Sequence, residues 1–185
     1  MKSVMLASKG CPPLVRVPQP RQFRMPGGPC GTRVEGMRHA TSEVDVARPV
    51  SQIITAIEDF NSSNGDWLEL DALFEELFHN RSASLGIDAM LHVFERHPTE
   101  DGAGVFWSIV HGLESLPGYE SRLVESVRKA PSVFALLMVN RLLNAGCQEG
   151  GGVRFASLLE QVVKNQNANP EVKLKAQEIL DKHEA

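Results

Sequence analysis

From about Arg48 to the C-terminus, apolar residues return at intervals of three and four, with no sustained alternation of apolar and polar positions. A period near 3.6 marks one face of a helix and a period of two marks a strand, so this stretch predicts an all-α fold. Ile53, Ile54, Ile57 and Phe60 make the first stripe. Trp67, Leu70, Leu73, Phe74, Leu77 and Phe78 make the second, and Asn64-Gly65-Asp66 between them reads as a turn and helix cap. A third helix starts near Ser84, carries Ile87, Met90, Leu91 and Phe94, and stops before Pro98, whose ring disfavours helical geometry at the residue before it. The fourth follows Asp101, carries Val105, Phe106, Ile109, Val110 and Leu113, and ends at Leu116-Pro117-Gly118.

The fifth helix runs from about Tyr119 with Leu123, Val124 and Val127. Pro131 fits the first turn of the sixth, with Ala130 near its cap, and Gly146 closes it after Phe134, Leu137, Met138, Arg141 and Leu142. Gly150, Gly151 and Gly152 read as a flexible joint. The seventh helix carries Phe155, Leu158, Leu159, Val162 and Val163. Asn169 caps the eighth, with Pro170 at its first position and Val172, Ala176, Ile179 and Leu180 inside. About eight helices thus fall into four hairpins beginning near residues 48, 84, 119 and 151. That repeat, roughly 32–36 residues, is in the range of stacked helical-hairpin solenoids. The tetratricopeptide and ankyrin signatures are absent, which leaves a HEAT-like α-solenoid. A compact helical bundle competes with it, because four pairs is short for a solenoid.

Residues 1–47 break the pattern. Six of the eleven prolines and five glycines fall within residues 1–36, where no helical or strand period survives. Such a segment buries too little apolar surface to offset chain entropy and is expected to be disordered. It reads either as a basic arm or as sequence upstream of a true start at Met37. Charge follows the same division. Residues 1–48 hold eight Lys/Arg against three Asp/Glu, a balance of +5; the remainder holds 11 against 20, a balance of -9. The acidic part disfavours direct contact with nucleic acid and favours a basic protein partner. No apolar run reaches the roughly 18–20 residues that span a bilayer, and the N-terminus lacks the apolar region of a secretory signal. Three cysteines, Cys11, Cys30 and Cys147, are too few for a disulfide framework, so the expected compartment is the reducing cytoplasm, with Cys147 a small, partly buried thiol.

Candidate chemistry is sparse. Trp107 and His111 are four apart and His111 and Glu114 three apart, so they share a helical face. A His/Glu pair is short of the three or four ligands that zinc needs, so the expected arrangement is His111 packed on Trp107 and bonded to Glu114. Asp88 and His92 read as an exposed i, i+4 pair. Gly102 and Gly104 follow Asp101 without the lysine or the preceding strand of a phosphate loop, so Asp101 reads as a helix cap. Asn140 and Asn144 share a face of an apolar helix that also holds Arg141; buried polar groups there need partners, and the expected one is the loop of the neighbouring hairpin, with ligand contact as the alternative. No metal or cofactor is called for. Glu58, Asp59, Asp66, Glu69, Asp71, Glu75 and Glu76 form an acidic cluster in a lysine-free stretch, either a solvated face or a docking patch for a basic protein.

The central stretch DGAGVFWSIVHGLESLPGYE, followed by LLMVNRLLNAG, resembles the helical, HEAT-like immunity proteins of bacterial polymorphic-toxin and contact-dependent inhibition systems. The matched positions are Asp101, Gly102, Gly104, Trp107, His111, Gly112, Glu114, Pro117, Tyr119, Asn140, Arg141 and Asn144. The resemblance covers residues 50–183 in architecture and only this stretch at motif level. It implies a non-enzymatic protein that binds and occludes a cognate toxin, here a basic toxin domain. The alternatives are a helical-repeat adaptor for another partner, and an enzyme using His111 and Glu114.

Overall fold

The computed structural model describes residues 48–62 and 66–184. The expectations for residues 1–47, including the start at Met37, and for Asn64 and Gly65 lie outside them. The described chain is all-α apart from one small hairpin. Its helices are α1 (Val50–Asp59), α2 (Leu68–His79), α3 (Ile87–Arg96), α4 (Val105–Ser115), α5 (Tyr119–Lys129), α6 (Val133–Asn144), α7 (Phe155–Lys164) and α8 (Pro170–Glu184). Short 3-10 turns at Ala83–Gly86 and Gly102–Gly104 lead into α3 and α4.

The helices pair as α1 with α2, α3 with α4, α5 with α6 and α7 with α8. The odd-numbered helices pack side by side as one layer, α1 on α3 on α5 on α7; the even-numbered ones make a second, α2 on α4 on α6 on α8. Helices within a layer run parallel: Trp107 meets Phe134 near the start of α4 and α6, and Glu114 meets Arg141 near their ends. Two parallel layers of successive hairpins are the arrangement of an open α-solenoid rather than of a closed bundle.

The apolar stripes face the seam between the layers. Ile53, Ile57, Leu70, Phe74, Met90, Phe94, Phe106, Ile109, Leu113, Leu123, Leu136, Val139, Phe155, Leu158 and Val172 are almost wholly buried. Phe94, Phe106 and Phe134 stack around one another, and Trp67 joins them edge-on through Phe106 at 5.1 Å. Gly112 lets α2 and α4 approach closely. A Cβ there would sit 1.8 Å from the ring of Phe78, so only a bare Cα fits beneath that aromatic.

Helix ends follow the expected chemistry with three corrections. Asp66 accepts from the Leu68 amide at 3.0 Å and Asn169 from the Glu171 amide at 2.9 Å, with Pro170 opening α8 as predicted. Gly146 adopts φ +84 after α6. Its amide reaches the Leu143 carbonyl at 2.9 Å and the next amide reaches Leu142 at 3.0 Å, the paired bonds of a Schellman motif. The first correction is at the start of α6. Pro131 is outside the helix and Ser132 is the cap, its hydroxyl accepting from the Ala135 amide at 3.3 Å. A cap with a side-chain acceptor satisfies an amide that proline cannot. The second is the Gly150–Gly152 joint, where Glu149–Gly150 and Val153–Arg154 pair as a two-residue antiparallel hairpin. Gly151 and Gly152, at φ +56 and +75, make its tight turn. The third is Cys147, which is buried and disulfide-bonded instead of being the expected thiol; Cys11 and Cys30 lie outside the described residues.

Candidate functional site

Trp107, His111, Glu114 and Arg141 lie close together on the adjacent helices α4 and α6 of the second layer. Trp107 is 42% exposed although it belongs to a helix whose other large apolar side chains are buried. Its ring rests edge-on against Phe134 of α6 at 5.8 Å, and His111 lies alongside it with ring centroids 6.0 Å apart. The contact expected between His111 and Trp107 is therefore present. The bond expected between His111 and Glu114 is not: Nδ1 stands 3.8 Å from Oε2, beyond hydrogen-bond range. Glu114 turns instead to Arg141 of α6, which donates from Nη2 to Oε2 at 2.8 Å and from Nε to Oε1. The Glu114 side chain is only 10% exposed, so this fork-to-fork pair fixes α4 against α6 and leaves His111 without a carboxylate at bonding distance. Tyr119 is buried near the same two groups. Burial, with the negative charges of Glu120 and Glu114, pushes its phenol well above the ordinary range.

Farther along the layer, Asn140 and Asn144 bond to α8 of the next hairpin. Lys182 Nζ donates to Asn144 Oδ1 at 3.1 Å and reaches Asn140 Oδ1 at 3.5 Å, while His183 Nε2 lies 3.0 Å from Asn140 Oδ1. A bond from these amides to a neighbouring hairpin was legible in the sequence, but its partners are helical rather than in a loop. Lys182 and His183 lie some 40 positions away with no local pattern to announce them.

Asp101 caps the turn before α4, accepting from the Ala103 amide at 3.0 Å. Gly102, Ala103 and Gly104 follow with φ of +59, +50 and +94, and a Cβ at Gly102 would fall 2.3 Å from the Phe106 ring. These glycines shape the entry to the helix that carries Trp107.

The acidic residues are divided. Glu58 belongs to the first layer, where its carboxylate bonds His92 Nδ1 at 2.7 Å. The expected Asp88–His92 pair is not formed: His92 also faces Lys129 at 3.3 Å, and Asp88 pairs with Arg122 at 3.6 Å. Neighbouring parallel helices present opposite charges closer than the next turn of the same helix does. Asp59 is exposed at the end of α1, and Asp66 accepts from the Leu68 amide one residue before Trp67, which is the cap of α2. Glu69, Asp71, Glu75 and Glu76 lie on α2, in the second layer, and Glu76 is held by Arg48 with Nε at 2.9 Å from Oε1. Three α2 carboxylates, those of Glu69, Asp71 and Glu75, make no ion pair among the described residues. Sequence reasoning missed Arg96. Its guanidinium donates to the carbonyls of Ile57, Glu58 and Phe60 at 2.8–2.9 Å and so closes the C-terminus of α1.

Two surface depressions occur in the first layer. One, about 210 Å³, lies between α3 and α5 among Asp88, His92, Glu95, Arg122 and Lys129. The other, about 360 Å³, lies between α5 and α7 beside Leu158 and Gln161. The charges of the first are matched internally, Lys129 with Glu95 at 2.7 Å and Arg122 with Asp88 and Glu125. Ser126 at its edge has a buried hydroxyl with no hydrogen-bond partner among the described residues. Among the described residues, no group of three or more His, Cys, Asp or Glu gathers in metal-binding geometry, and no helix is long and apolar enough to cross a membrane.

No family model, curated protein or solved structure matches the chain.

Proposed function

We propose that this chain is an immunity-type protein, which binds a cognate bacterial toxin and neutralises it by occlusion, and that the outer face of the second layer is its binding surface. The observation that carries the reading is Trp107. It is a large aromatic on a rigid helix, braced beneath by Phe134 and flanked by His111, with 42% of its surface open. Rigid tryptophans backed by a packed core are the side chains that dominate protein–protein affinity. The residues that carry the resemblance, Trp107, His111, Asn140, Arg141 and Asn144, span the adjacent helices α4 and α6. The unpaired carboxylates of Glu69, Asp71 and Glu75 on α2 belong to the same layer, and they suit a basic toxin domain by steering its approach.

The test is recovery of the partner and its toxicity. Tagged full-length chain, purified from its native cell, should bring down a near-stoichiometric protein that kills when expressed alone and is harmless beside this chain. Trp107→Ala should abolish protection while leaving the melting temperature within a few degrees. A stoichiometric partner that is not toxic would replace inhibition with an adaptor role. Protection that survives Trp107→Ala would remove this face from the reading.

A further inference from the structure

On the α6–α8 part of the second layer, Asn140, Asn144 and Lys182 present hydrogen-bond donors close to one another. Lys182 carries three donors and no acceptor, so its contacts fix both asparagine amides with the oxygen turned toward α8. The NH2 groups point the other way, and neither donates to any described residue. Lys182 itself makes no ion pair among the described residues; its hydrogen-bond partners there are these two amide oxygens. Asn140 and Asn144 are one helical turn apart, which is about 6 Å along the axis. Alternate carbonyls on one side of an extended chain repeat at about 6.6 Å. The two NH2 groups therefore match carbonyls i and i+2 of a strand-like segment laid along α6, and Lys182 supplies the positive charge beside them.

We infer that the Asn140–Asn144–Lys182 strip binds an extended segment of the partner protein, and that this segment carries at least one carboxylate near Lys182. The donors and the ammonium complement carbonyl and carboxylate oxygens and would reject a basic segment. A nucleic-acid strand also presents anionic oxygens, but residues 49–185 carry a balance of -9, which repels a polyanion far more than one or two carboxylates. The inference rests on the protein-binding reading and makes it specific. A largely basic toxin would meet the α2 carboxylates with its surface and this strip with one acidic strand or tail.

The experiment pans a library of random seven-residue peptides against the full chain and against N140D/N144D. Those substitutions keep each side-chain oxygen for Lys182 and remove each outward donor. Circular dichroism melting checks that the variant folds. The wild type should enrich Asp- and Glu-containing peptides over Lys- and Arg-containing ones. The best of these, resynthesised, should bind the variant about tenfold or more weakly, and K182Q should weaken it likewise. Equal enrichment by the variant, preference for basic peptides, or no enrichment would each overturn the assignment. So would displacement of the best peptide by a 20-nucleotide DNA strand at lower concentration than free peptide requires, which would make the strip a polyanion site. A captured toxin whose binding ignores N140D/N144D would sink the strip and leave the inhibitor reading intact.

Discussion

Tyr119 ties three of the matched positions together, because its buried phenol lies near Glu114 and Arg141. Burial comes first among the causes that raise its folded pKa above the unfolded value near 10. The folded state then holds a proton that the unfolded chain has lost. That stability is complete below the unfolded pKa and declines as pH rises above it. Urea titrations between pH 8 and 11 should show stability falling from about pH 10, and Tyr119→Phe should flatten this limb. An alkaline decline unchanged by the substitution would mean that other groups cause it. At this scale the sequence was informative where partners are near and silent where they are far. The i, i+4 spacing of Trp107 and His111 gave a real contact, since helical geometry alone brings them together. Glu114 was expected to bond His111, yet it bonds Arg141, 27 positions on, because parallel packing of α4 and α6 sets the two side chains at matching heights.

Whole elements were read more reliably than single contacts, because burial selects the apolar face and that face is written in the spacing. All eight helices lie where the period placed them, and the errors fall at joints. Pro131 looked like a first-turn residue, but the hydroxyl of Ser132 makes the cap. The run of three glycines looked like a loose joint, but two positive-φ glycines are also what a tight hairpin turn needs. Gly112 shows an interelement constraint that no spacing reveals. Alanine in a helix interior is ordinarily better than glycine by about 1 kcal/mol. Here the added carbon meets Phe78, and overpacking costs about 1–3 kcal/mol. Gly112→Ala should therefore destabilise by about 1 kcal/mol in chemical denaturation. In a Phe78→Leu background the same change should become neutral or stabilising, since only the propensity term remains. A loss of equal size in both backgrounds would refute the α2–α4 contact as its cause.

For the whole molecule, the decisive property is that each hairpin packs chiefly on its neighbours. Stability is then close to a sum of local and nearest-neighbour terms, and the ends have one neighbour where the middle has two. Hydrogen exchange should accordingly be slowest in α3–α6 and faster in α1–α2 and α7–α8, where uniform protection would point to a single closed core. Charge is also distributed along the stack. Reversing Glu69, Asp71 and Glu75 to lysine should slow association with a basic toxin at low salt about tenfold, and less at 0.5 M, with dissociation little changed. A salt-independent loss would place those side chains in the contact itself. The same stack has a mechanical consequence. Four hairpins meet at three joints, and a small rotation at each would add to the next, as the leaves of a spring share one bend. A ligand held between α6 and α8 crosses one joint and meets a stiff seat, whereas a protein gripping from α2 to α8 crosses all three and must hold the spring at one curvature. Tight binding of a large partner would therefore still the whole stack, and that stiffening is itself part of what the complex must overcome to form.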